Sequence, residues 1–398
     1  MLAALPLAAD VAATLNLSDR TETRLRQPGD TPTGPSVDVA TAPEARMSLV
    51  LPRVGCTLTY APRLTFWDVN DVGAQPTWLN AGKARVSWRA NDEATLTLDQ
   101  DASYGATSFA GLVFPAGPDG TPPRVDVIPT TQIIQVESSS TTLGSHIAVR
   151  RWELRSEVGY QLSGGADDVA RSILPLQRGP LADAVLTYAA SPVDHVATTL
   201  VASETTFSSG PEIALAEGDE GWKHAWSAVT ETNVTLGVSE ARVQASSLVG
   251  LSREINPVAE AILDQRILTD EDRVTLHVGA RLGPVVNRLL GIVDERVQGT
   301  LLSKWTHGPF AVNAFGSAQQ SVPAGGPNAT TLFTGELGLA YTATEAVVFD
   351  VGVRGVWQRA NQPLTVTSNP GATDIVEASI AQGIVFVGVT LHAPTIRM

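Results

Sequence analysis

Trp152–Ser163, WELRSEVGYQLS, alternates almost without error. Trp152, Leu154, Val158, Tyr160 and Leu162 share one parity, interrupted by Ser156; Glu153, Arg155, Glu157, Gln161 and Ser163 share the other. A period of two sends these sets to opposite faces of an extended strand, so one face wants an apolar medium and the other wants water. At about 3.3 Å per residue the stretch reaches roughly 40 Å. Tilted by about 40°, a strand of that length spans a hydrocarbon core. Whether the apolar face meets a protein core or lipid decides the fold.

The pattern recurs along the chain. Val11, Ala13, Leu15 and Leu17 oppose Thr14, Asn16, Ser18, Arg20, Glu22 and Arg24. Val54, Cys56, Leu58, Tyr60, Leu64 and Phe66 form another apolar face, and Pro62 inside it predicts a bulge because proline donates no ladder hydrogen bond. Further strands run through Val86, Leu98, Val196–Phe207, Val234, Val278, Leu339 and Val351, and the last covers Ala378–Leu391. Short turns at Pro52-Arg53, Asn91-Asp92, Arg150-Arg151 and Arg178-Gly179-Pro180 alternate with longer connections, including Gly164–Asp167 and an acidic loop at Gly218–Gly221. Two unlike rims are the signature of an up-and-down antiparallel barrel. Residues 257–268 and 285–297 fit helical spacing as well as strand spacing and stay open between the two.

Composition narrows the choice. A net charge of −14 offers no basic footprint for nucleic acid. No apolar run is long enough for a transmembrane helix, so membrane residence requires a closed barrel. The single cysteine, Cys56, forms no intrachain disulfide and reads as a small apolar filler. Residues 1–9 read as the remnant of a signal peptide, with cleavage after Ala9, leaving 10–398 as the barrel.

Lipid is favoured over a protein core on three grounds. The strands are longer than the 5–6 residues or so usual in globular proteins. Trp67, Trp88, Trp152, Tyr160, Tyr188, Trp305 and Trp357 sit where interfacial aromatic girdles lie. The opposite faces carry the Thr, Ser, Gln, Asn and mixed charges of a wet lumen. The expected fold is all-β, a single transmembrane up-and-down antiparallel β-barrel of about 16–18 strands, with 18 the best value because both termini should share a rim.

The chain resembles Gram-negative outer-membrane β-barrel proteins of porin type. The likeness covers nearly all of it as a pattern. The last strand, Gln382-Gly383-Ile384-Val385-Phe386-Val387-Gly388-Val389-Thr390-Leu391, is similar to the assembly signal of such proteins, although Ala393–Met398 follow it where the family ends on an aromatic residue. The make-up also resembles that of barrels accompanying polysaccharide-export systems. These resemblances imply outer-membrane residence, outer-membrane lipid and the barrel-assembly machinery as partners, and periplasmic polysaccharide-export components as further partners.

Catalytic chemistry finds no support. The six histidines are scattered singly, and there is no HExxH, phosphate loop or calcium loop. Glu217 with Gly218-Asp219-Glu220-Gly221 reads as a solvated rim loop rather than a calcium site. No cofactor and no metal are expected, and no enzyme activity. The informative residues are charges on the polar faces, the candidate lumen set: Arg63, Lys83, Arg85, Arg89, Asp99, Asp101, Glu153, Arg155, Glu157, Glu231, Arg273, His277, Arg281, Glu336, Asp350 and Arg354. Opposed rows across a lumen would orient polar solutes; the alternative is a ladder of salt bridges filling it. The expected function is a channel for polar cargo. Hydroxyl- and amide-rich walls suit export of a polysaccharide. The alternatives are a general diffusion porin, a structural or adhesive barrel binding through loops such as Gly111–Pro129 and Ser321–Thr331, and a soluble secreted β-protein.

Overall fold

The computed structural model describes residues 12–28, 36–68, 76–108, 125–126, 133–244, 252–269, 271–287, 292–322, 329–360, 364–369, 372–376 and 379–397. The residues read as a signal-peptide remnant, and most of the loop 111–129, lie outside these. The chain is a closed antiparallel barrel of 18 strands. They are β1 (Ala12–Pro28), β2 (Ser36–Val50), β3 (Val54–Tyr60 continued by Arg63–Phe66), β4 (Thr77–Arg89), β5 (Ala94–Ser108) and β6 (Ile133–Val149). Next come β7 (Trp152–Gly165), β8 (Gln177–Ala189), β9 (Asp194–Phe207), β10 (Glu212–Ala225), β11 (Thr230–Gln244) and β12 (Ser252–Leu268). The last third is β13 (Asp272–Asn287), β14 (Ile292–His307), β15 (Phe310–Ser321), β16 (Thr330–Thr344), β17 (Val347–Ala360) and β18 (Ser379–His392). Each strand pairs with its sequence neighbours, and β18 returns to β1 from Ser18↔His392 to Pro28↔Gln382, so no edge is left open.

Alternation fixes the two surfaces. The outward face carries Leu58, Val86, Leu98, Leu143, Val158, Leu200, Leu236, Leu301, Leu339, Val353 and Val387, all exposed in the isolated chain. Such a belt of large apolar side chains is placed by lipid, since water would not tolerate it. Both termini and the shortest turns share one rim. Among these turns, Arg150-Arg151 joins β6 to β7 with Arg150 at φ 56°, and Gly308-Pro309 joins β14 to β15 with Gly308 at φ 53°, the left-handed backbone that tight hairpins need. The longest connections gather on the other rim, where the helix α1 (Asp168–Ile173) packs on the inner wall. A side chain at Gly165 would meet α1 backbone at Ala170 and Arg171.

Several sequence readings shift. Arg178-Gly179-Pro180 is no turn; it lies inside β8, and the turn falls after Ala189. The ladder to β9 skips Gly179 and Pro180, where proline has no N–H to give, while pairing to β7 continues. A Cβ on Gly179 would stand 1.7 Å from the Glu204 carbonyl, so the close approach requires glycine. Gly218–Gly221 is likewise no loop but the middle of β10. Residues 257–268 are strand, part of β12, whereas 285–297 spans the β13–β14 hairpin. The Pro62 break divides β3 as expected.

Val353 lies outward on β17 between the outward aromatics Phe349 and Trp357. An arginine there places charge in the apolar belt. Val353→Arg should lower folding stability in lipid vesicles by about 2–4 kcal/mol, read as the urea midpoint of heat-modifiable migration, whereas Thr334→Arg on the inner face should shift it far less.

Candidate functional site

Inner-wall residues divide by height. Toward the long-loop rim they are buried: Glu22, Arg24, Asp38, Glu217, Asp219, Arg281, Gln298, Gln319 and Gln358, with Arg296 only 1% exposed. Phe207, Ile213, Val243 and Val286 pack together there with Val293, bringing the inner face of β9–β11 against the ends of β13 and β14. Ile134 on β6 packs against Ala170 and Leu174 of the α1 segment. Toward the short-turn rim the inner wall stays open: the side chains of Arg85 and Arg155 are 63% and 70% exposed. Among the described residues the interior is therefore a vestibule that opens on the rim of the termini and is filled on the other side.

Ion pairs link inner-wall residues on several strands, some of them not adjacent. Arg281 on β13 reaches three strands back to Glu217 on β10, donating from one guanidinium nitrogen to both carboxylate oxygens at 3.0 and 2.9 Å. At the closing seam Arg20 bridges to Asp350 on β17 at 2.7 Å and to Glu22 at 3.2 Å, and Arg24 also binds Glu22. Arg26 pairs with Asp38 at 3.2 Å. Arg20 and Arg354 both lie over the buried Phe386 ring, at 5.9 and 5.3 Å, while Arg354 pairs with Glu336 at 2.7 Å.

In the open half the candidate residues pair along the wall. Lys83–Asp101 at 3.2 Å and Arg85–Asp99 at 3.5 Å are cross-strand neighbours between β4 and β5. These two rows are adjacent, so the field between them runs along the wall and does not cross the lumen. Glu153 holds Arg155 at 2.6 Å and His146 at 3.1 Å; Lys223 holds Glu231 at 2.8 Å; His277 meets Asp264 at 2.8 Å. Glu157 shares the inward register of Glu153 and Arg155 and pairs across to Asp183. Arg63 follows the Pro62 break on the same face as Thr65, and Arg89 and Arg273 stand at strand ends by short turns. Among the described residues no three His, Cys, Asp or Glu side chains converge as a metal site.

The aromatics divide as well. Trp88, Trp152, Tyr160, Tyr188, Trp305 and Trp357 take the outward register, with Trp152 and Tyr188 packed at 4.7 Å. Trp67 departs from the girdle expected for it. It is 7% exposed, donates its indole N–H to Thr77 Oγ1 at 2.6 Å and lies under the Arg26 guanidinium at 5.6 Å. The reason is parity: Phe66 faces outward, so the next residue turns in.

A family model for EpsX, an exopolysaccharide export family, matches residues 7–373. The chain belongs to that family. No curated protein matches the sequence. Among solved structures, the FrpB iron transporter from Neisseria meningitidis (F5-1 variant) is 8% identical over 95% of this chain and 82% of its own, with a TM-score of 0.53. The copper transporter OprC is 10% identical over 95% and 80%, with a TM-score of 0.51. These likenesses show the fold. This EpsX-family chain thus has the closed-barrel fold seen in outer-membrane transporters.

For the EpsX-family barrel, the candidate set read from the sequence covers the charges of the open half together with Arg281, Glu336, Asp350 and Arg354, and does not include Glu22, Arg24, Asp38, Glu217, Asp219 and Arg296. Glu217 and Asp219 share the parity of Ile213 and Leu215, while Gly218 and Gly221 carry the local signal of a loop. Removing the guanidinium partner of a buried carboxylate is costly, whereas exposed pairs contribute little. Arg281→Met should therefore destabilise the barrel by about 3–5 kcal/mol, and Arg155→Met by under about 1 kcal/mol, as read from urea midpoints in detergent micelles.

Proposed function

We propose that the barrel conducts an exopolysaccharide across the outer membrane, with the cargo entering the open vestibule at the periplasmic, short-turn rim. The observation that carries this reading is the one-sided interior in a chain of an export family. Short turns face the periplasm in outer-membrane barrels and longer loops face outward. An interior open to the periplasm and filled toward the outside accepts cargo from within and resists free inward diffusion. That filling argues against an unregulated diffusion porin. Passage requires the filled half to open, and the buried Glu217–Arg281 and Glu22–Arg24 contacts are the interactions that opening would strain.

Under this reading the inward charges of β4–β7, among them Lys83, Arg85, Asp99, Asp101, Glu153, Arg155 and Glu157, are the hydrated wall past which cargo slides. Periplasmic export components deliver the chain to the short-turn rim, and the barrel-assembly machinery inserts the protein. The family is one of exopolysaccharide export.

Deleting the gene should abolish surface polysaccharide and cause the polymer to accumulate in the periplasm; unchanged surface polymer would refute the reading. In planar bilayers, neutralising Glu153, Arg155 and Glu157 together removes two negative charges and one positive charge. Open-channel selectivity should move toward anions while heat-modifiable migration is retained. Identical reversal potentials in wild type and variant would remove these residues from the conducting wall.

A further inference from the structure

We infer that the inner wall between β11 and β16 carries a sugar-binding groove whose platform is the Phe315–Leu302 pair. It is selective for uncharged pyranose units with one apolar face. This inference rests on the export reading and adds a place and a chemistry for the cargo. The registers Asp264↔His277, His277↔Leu302, Leu302↔Phe315 and Phe315↔Glu336 lay these side chains side by side across β12–β16. They line a concavity of about 620 Å³, within the roughly 300–1,000 Å³ range of small-molecule sites.

The exposure of Phe315 is what needs explaining. Among the described residues, the inward-facing aromatic rings of Trp67, Phe207 and Phe386 are buried, whereas Phe315 keeps part of its surface open. Leu302 beside it is also only half-buried. A water-filled wall has no use for a partly exposed phenyl ring and an adjacent leucine, since polar side chains would be better solvated there. A pyranose resolves the mismatch. Its axial C–H face packs on the ring and leucine, and its equatorial hydroxyls point sideways to polar groups. Such groups are in place: Asn313 and Lys304 are direct cross-strand neighbours one step toward the short-turn rim, and His277 with Asp264 borders Leu302 on the other side.

The acidic and basic groups of the groove come close to offsetting one another. Asp264 faces His277, Glu231 is held by Lys223 and Glu336 by Arg354, and Arg266 and Lys304 also line the concavity. A groove balanced in this way gives little attraction to a strongly acidic or basic polymer, so hydroxyls are the groups it reads. By contrast β4–β7, on the far side of the ring, presents exposed charges without an inward aromatic ring. The vestibule thus has one wall that binds and one that hydrates.

The test uses the full-length barrel in detergent micelles, with maltohexaose as the probe and hexaglucuronate and mannitol as controls. Saturation-transfer NMR should show contact to ring C–H protons of maltohexaose, with millimolar affinity and markedly weaker signals for both controls. Phe315→Ala should weaken maltohexaose binding by about tenfold. Phe315→Trp should keep it and add a tryptophan fluorescence change on binding, and both variants should retain heat-modifiable migration. Equal binding by wild type and Phe315→Ala would overturn the inference. So would no binding up to about 50 mM or a preference for hexaglucuronate. The export reading fails separately. Sugar binding at Phe315 with surface polymer unaffected by gene deletion sinks export and leaves the groove; loss of surface polymer on deletion with no sugar binding sinks the groove and leaves export.

Discussion

Every backbone N–H and C=O of a strand in hydrocarbon must find a partner, because no water is there to take it. The rest of this molecule depends on that constraint. It forbids an open edge, so β18 must return to β1, and the pairing runs from His392 to Gln382 against Ser18 to Pro28. The seam continues past the last strand: Ala393 N–H donates to the Leu17 carbonyl, and Ile396 and Arg397 pair with Leu15 and Thr14. The tail after Leu391 therefore extends the closure. Once the ring is closed, period-two alternation assigns each side chain to lipid or interior, and the inner wall becomes a surface selected for chemistry.

That inner wall is not uniform. Near the long-loop rim, side chains reach beyond their immediate neighbours, as Arg281 does to Glu217. Such chords across a concave wall remove charge from water, and each is tolerable only because its partner is in place. Near the short-turn rim the pairs are between cross-strand or same-strand neighbours and remain hydrated, so they add little stability and are free to vary with cargo. Rigidity and filling are concentrated on one side of the membrane, and solvent access on the other. A secretion conduit benefits from that distribution, since it must admit a chain from the periplasm and still hold the outer barrier.

What could be read from the residues was whatever depends on the period of two. The alternation at Trp152–Ser163 gives the faces of β7, and its recurrence gives the barrel, the outward belt and the shared rim of the termini. Local turn chemistry was a weaker guide. Gly179-Pro180 and Gly218–Gly221 carry turn residues but lie within strands, because tertiary pairing on at least one side outweighs local preference. Trp67 has the aromatic type of a girdle residue, but its parity, opposite to that of Phe66, turns it inward.

The sequence by itself determined which side chains share a face, since alternation is a local property of the extended chain. Together with strand length and the polar make-up of the opposite faces it pointed to a membrane barrel, and it determined that Glu153, Arg155 and Glu157 point together. Tertiary structure alone decided which charges meet. Lys83 and Arg85 lie beside Asp101 and Asp99, Glu217 meets a guanidinium from three strands away, and Phe315 is left open beside Leu302. Those outcomes are set by the register between strands and by the curvature of the closed wall. Both are properties of the whole ring and are not written in any single strand.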